Sequence, residues 1–158
     1  MKKVFVFALL LCTFAFPVLA DTSRVVDEAN LLSYAEEQVL QQKINRIVEE
    51  YGIDVAIVTV NDIGHWSPGI YAADFYENHG YGVGSDRSGL IFLVAMGSRD
   101  YFTAVTGKAE RIFDYGTRED IHNEAVPYLS RGQYSQAMRV YLDGVENALQ
   151  SSTPMARF

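Results

Sequence analysis

Apolar residues recur along this chain in two rhythms. Leu40, Ile44, Ile47 and Tyr51 fall three or four positions apart, the spacing of one helical stripe. Ser33 and Glu36 stand ahead of it as a capping box, and Gly52 ends it. Ile53–Val60 is instead short and β-branched, which predicts a buried strand. Ser67-Pro68 opens a second helix that carries Ile70, Ala73 and Tyr76 and stops near Gly80. The continuous apolar run Leu90–Met96 predicts a second buried strand and Tyr101–Thr106 a third. The four-residue turn Gly97–Asp100 makes that pair an antiparallel hairpin. Gly107–Asp114 reads as a loop with room for one helical turn. Thr117 and Asp120 are the expected caps of a helix carrying Ile121, Ala125 and Tyr128, which Pro127 kinks or ends. After Gly132 a last helix is predicted over about Ser135–Leu149, with Ala137, Tyr141, Val145 and Ala148 on one face. Arg24–Asp27 suits a short extended piece ahead of all this. Helices alternating with buried strands around one hairpin predict an α/β fold with a mixed sheet.

The ends of the chain read differently from its middle. Lys2 and Lys3 precede an apolar run, Val4–Phe16, that is too short to span a bilayer. Pro17 breaks the run, and Val18-Leu19-Ala20 places small residues where a signal peptidase reads. Residues 1–20 are therefore expected to be a signal peptide, cleaved before Asp21, and the protein to work outside the cytoplasm, secreted or in the cell envelope. Residues 21–150 form one domain by length, and 151–158 a polar C-terminal tail. No segment of the domain suits a membrane span.

The one cysteine, Cys12, lies in the signal segment, so the processed chain offers no disulfide, thiolate metal site or cysteine nucleophile. The formal charge is −7 before Lys2 and Lys3 are removed and more negative afterwards. So acidic a domain is not a nucleic-acid binder, since that requires Lys and Arg to neutralise phosphates.

Tyr81–Ala95, YGVGSDRSGLIFLVA, is the most suggestive stretch. Its glycines do not fit a phosphate loop, because they follow a helix and lead into a strand, whereas a phosphate needs a helix N-terminus after the glycines. No G-x-S-x-G elbow is present. His65, His79 and His122 are far apart and are expected to be loop or surface residues. Carboxylates are left as the candidate chemistry: Asp27, Asp62, Asp86, Asp100, Glu110 and Asp114 all fall in loops or at strand ends. Asp86 precedes one strand of the hairpin, and Glu110 and Asp114 follow its partner. The hairpin should thus bring them to one sheet edge. An oxygen-rich edge suits a hard divalent cation, calcium before zinc, because zinc favours Cys and His.

In order and spacing these motifs resemble the TPM domain, found in plastid photosystem-repair proteins and many bacterial envelope proteins. Val26-Asp27-Glu28-Ala29-Asn30-Leu31-Leu32-Ser33 is similar to the family's opening V-x-D-x-A-x-L-L-S. Asp86-Arg87-Ser88-Gly89 resembles its D-N-G-hydrophobic motif, and Arg99 its hairpin-turn arginine. Thr106–Glu110 with Asp114 resembles T-G-x-G-x-E…D, and Pro127 with Gly132-Gln133-Tyr134 the late P…G-D-Y pattern. Arg87-Ser88 replaces the usual Asn pair, and Ala109 a glycine. The resemblance covers about Val25–Leu149. It implies a sheet with helices on both faces and, for some plastid members, divalent-cation binding and a weak acid phosphatase activity.

Two functions are therefore expected. The leading one is an extracytoplasmic accessory domain that binds a protein partner at the membrane or envelope. The other is a metal-dependent phosphatase acting on phosphomonoesters, built on Asp27, Asp86, Glu110 and Asp114. Arg99, at the far end of the hairpin from Asp86, is expected to be structural.

Overall fold

A computed structural model describes residues 23–153. The expected signal peptide and the end of the tail lie outside them. The first element is strand β1 (Val25–Asp27), followed by α1 (Tyr34–Tyr51), β2 (Asp54–Val60) and α2 (Pro68–Asn78). Next come β3 (Gly89–Ala95), β4 (Asp100–Thr106), a 3₁₀ turn (Gly107–Arg111), α3 (Tyr115–Ser130) and α4 (Tyr134–Ser152).

The sheet runs in the order β1-β2-β3-β4. β1, β2 and β3 are parallel and β4 is antiparallel to β3, with Gly89 opposite Thr106 and Ala95 opposite Asp100. The mixed sheet and its single hairpin agree with the sequence pattern.

β2 and β3 are buried at every position, as parallel strands covered on both faces must be. Alternate residues feed two cores. Val55, Ile57, Leu90, Phe92 and Val94 meet α1, α3 and α4 through Leu40, Ile44, Ile121, Tyr141 and Val145. Ala56, Val58, Ile91 and Leu93 meet α2 through Ala72, Phe75 and Tyr76. β4 is the edge strand, and its first three residues are exposed.

The caps explain most helix ends. Ser33 and Glu36 form the full capping box, and Gly52 closes α1 at φ +64°. Ser67 caps α2, with Pro68 in its first turn. α3 begins earlier than expected. Its cap is Asp114, whose carboxylate accepts from the Thr117 N–H at 2.9 Å, so Thr117 lies inside the helix and Asp120 further in still. Pro127 lies within α3, which runs on to Ser130. α4 also outruns its pattern, taking in Ser151 and Ser152 from the expected tail.

Candidate functional site

Two regions carry polar chemistry, one at each end of the sheet. The first is the loop before β3. Val83 and Ser88 bridge across a tight turn in which Arg87 has φ +53°, a left-handed conformation that Asn adopts more readily. Gly82 is required there: at φ +104°, a Cβ would lie 2.5 Å from the Arg87 carbonyl oxygen.

The loop is tied to the sheet through Asp54, a buried acid that sequence reasoning passed over. Asp54 Oδ2 accepts from the Gly82 N–H at 2.7 Å, and Oδ1 accepts from the Val55 N–H at 3.0 Å and from Arg24 Nε at 2.5 Å. Its signal in the sequence is an acid inside an otherwise apolar strand, which requires a partner.

Asp86 sits at the tip of this loop. As the hairpin argument expected, the loop meets the segment after β4: the Lys108 N–H donates to Ser88 Oγ at 2.9 Å. The Ser88 hydroxyl, and then the charge of Lys108, hold the exposed Asp86 carboxyl below its ordinary range. Glu110 is exposed on the adjoining 3₁₀ turn. The other two candidate ligands have other tasks. Asp114 caps α3, and the Thr117 amide, followed by its hydroxyl, lowers its carboxyl in the same way. Asp27 lies opposite Thr59, five residues up the strand from Asp54, so it stands about 17 Å from the Asp86 end. Its Oδ2 accepts from the Leu32 N–H at 2.8 Å and its Oδ1 from the Thr59 hydroxyl, which closes the turn into α1. Asp27 therefore does not join Asp86 and Glu110. Among the described residues no three His, Cys, Asp or Glu side chains are grouped to hold a metal ion.

The second region lies along β4, on the face covered by α3 and α4. Two cavities flank Tyr101. One, of about 480 Å³, lies beyond the carboxyl end of β3, where open α/β sheets commonly bind ligands. Its walls include Val94, Met96, Val126 and Leu129, with Arg99 and Asp100 from the hairpin. The other, of about 430 Å³, is lined by Phe102, Thr103, Tyr115, Arg118, Glu119 and His122, with Asp100 and Tyr101 shared between the two.

His122 corrects the expectation of a surface residue. It is 7% exposed, its Nε2 is 2.9 Å from Thr103 Oγ1, and that hydroxyl is 3.0 Å from the Tyr141 hydroxyl. Burial lowers its pKa, against a smaller opposing pull from Glu119, whose carboxylate is 3.6 Å from Nδ1. The clue in the sequence was its position beside Ile121 on the buried face of α3. Arg118 Nη1 donates to the Thr103 carbonyl at 3.1 Å. Around this network Tyr101 and Tyr115 remain 38% and 72% exposed, while Phe102, 37% exposed, turns its ring to Gly69 of α2 on the other face.

A family model described as the TPM domain matches residues 25–148. Solved structures share the fold. The N-terminal domain of a P. gingivalis protein is 26% identical, with a TM-score of 0.73 over 85% of this chain and 87% of its own. The N-terminal domain of cg2496 from Corynebacterium glutamicum is 15% identical, with a TM-score of 0.65 over 99% and 94%. BA42 from the psychrophile Bizionia argentinensis is 13% identical, with a TM-score of 0.67 over 80% and 86%. No curated protein matches the chain.

Proposed function

This chain belongs to the TPM domain family, and from that premise we propose that it is an extracytoplasmic binding domain that docks a protein partner along β4. The observation that supports this most is the exposed aromatic start of β4, where Tyr101 and Phe102 flank cavities on an edge strand. Aromatic side chains are favoured at interfaces because they bury much area with few rotamers. Action outside the cytoplasm rests on the signal-like residues 1–20. No helix among the described residues is long and apolar enough to cross a membrane.

The test is photocrosslinking in the native cell. A benzoyl-phenylalanine at position 101 should give a discrete adduct with one partner. The same group in place of Tyr34, exposed at the start of α1, should give none. Equal labelling from both positions, or none from either, would overturn the binding reading.

The second reading is a cation-dependent phosphatase. Its support is the lowered carboxyl of Asp86, on a loop tied to the segment that also carries Glu110, with calcium as the cation. Lys108 opposes a cation there, so affinity should be modest. Hydrolysis of p-nitrophenyl phosphate that is lost in excess chelator, and lost in Asp86→Asn, would favour this reading.

A further inference from the structure

Resting on the binding reading above, we infer that the groove at the hairpin end of β4 takes the C-terminal end of a partner polypeptide whose last residue is apolar. Three separate features meet there. The first is Arg99, held at the hairpin tip with φ +58°, a conformation strained for a residue carrying a Cβ. Among the described residues its guanidinium pairs with no carboxylate, and the residue is part of the lining of the 480 Å³ cavity. The hairpin turn sets this backbone conformation, and it places a cationic residue on the lining of the cavity.

The second feature is the apolar wall of that cavity, formed by Val94, Met96, Val126 and Leu129. It is large enough for a bulky apolar side chain, and Asp100 in its lining disfavours an acidic one.

The third is the edge of β4. The Thr103 carbonyl points away from β3, since Arg118 reaches it from α3. Backbone groups alternate in direction along an antiparallel strand, so the Tyr101 N–H and C=O share that outer side. Arg118 closes the edge at Thr103, and the stretch around Tyr101 beside the cavity is open to an added strand. An added strand running antiparallel to β4 reaches Arg99 within a residue or two. A chain that ends there places its carboxylate on the guanidinium, in a charge-assisted and commonly bidentate contact. A chain that continued past Arg99 would leave the guanidinium unpaired. Strand addition supplies backbone bonds, and the cavity supplies side-chain choice.

The test uses the ¹⁵N-labelled protein and four acetylated peptides, Ser-Ala-Thr followed by Leu, Ile, Val or Phe, each as free acid and as C-terminal amide. The acids should shift the amide resonances of Arg99–Tyr101 and Val126–Tyr134. The amides should bind at least about ten-fold more weakly. Arg99→Gly relieves the backbone strain and should keep a dispersed spectrum while losing the acid preference. Equal binding of acid and amide, shifts confined to other residues, or no shifts at millimolar peptide would overturn the inference. So would octanoate binding as tightly as the best peptide, which would identify a small apolar carboxylate as the ligand. If the peptides fail while crosslinks from position 101 persist, the partner docks by an internal segment, and the binding reading stands without this inference.

Discussion

Thr103 Oγ1 lies between His122 Nε2 at 2.9 Å and the Tyr141 hydroxyl at 3.0 Å, and so links a buried imidazole on α3 to a buried phenol on α4. The Tyr141 ring is buried and stacked on Phe92 at 4.0 Å, and burial raises its pKa, so it stays a neutral donor. The Thr103 hydroxyl can donate to one of these neighbours while accepting from the other, so one hydroxyl serves both buried rings. The other ring nitrogen, Nδ1, faces Glu119, 3.6 Å away and just beyond hydrogen-bond reach.

Stability should therefore depend on pH through His122. Burial lowers its folded pKa, so the unfolded chain takes up the proton first. The stability conferred by the neutral ring is complete above the ordinary imidazole value of about 6.5 and is lost as pH falls below it. Thermal melts from about pH 7.5 to about pH 5.5 should show a falling midpoint, and His122→Gln should flatten that slope. A wild-type midpoint that is level or rises on acidification would refute the cost of charging the buried ring.

Asp27 should prove structural. Asp27→Ala strands the Leu32 amide and the Thr59 hydroxyl and should cost about 2 kcal/mol in urea unfolding. Calcium titration of the same variant should match wild type. A loss of calcium binding at unchanged stability would return Asp27 to the cation site.

Asp54→Ala should be more damaging. It leaves the largely buried Arg24 guanidinium without its partner and unties the Gly82 loop, at a cost of about 3 kcal/mol. Hydrogen exchange should show residues 82–88 losing protection first. Uniform loss across the domain would contradict a local latch.

Arg99→Gly should raise stability by up to about 1 kcal/mol, because the φ of +58° costs arginine more than glycine even after glycine's extra unfolded-state freedom is counted. A destabilised variant would mean that the Arg99 side chain supports the hairpin, as the sequence first suggested.

Calorimetry with calcium should give weak binding to wild type and none to Asp86→Asn if the phosphatase reading holds. Equal heats from the two proteins would remove the cation from this edge.

The fold was legible because its signals are local. The capping box at Ser33, the Ser67-Pro68 start and the apolar runs at Ile53 and Leu90 each act within a few residues. The start of α3 was misread because Asp114, Thr117 and Asp120 are all acceptable caps, and only the packing of Ile121 and Ala125 selects among them. The site was less legible. Hairpin pairing correctly joined Asp86 to the segment after β4, but it said nothing of β1. The parallel register that sends Asp27 to the opposite end of the sheet arises from crossovers through α1 and α2. Likewise, the meeting of Thr103, His122 and Tyr141 joins β4, α3 and α4; the α3 pattern hints that His122 is buried but does not name its partners.

The contact from Arg118 to the Thr103 carbonyl has a bearing on solubility too. An unprotected edge strand invites a second copy of the same sheet and, beyond that, a fibre. At one margin β1 is three residues long, and at the other a guanidinium occupies the carbonyl a neighbouring strand would need. Among the described residues, both margins are thus short or blocked, and Arg118→Ala should make β4 the margin at which copies of the sheet first pair.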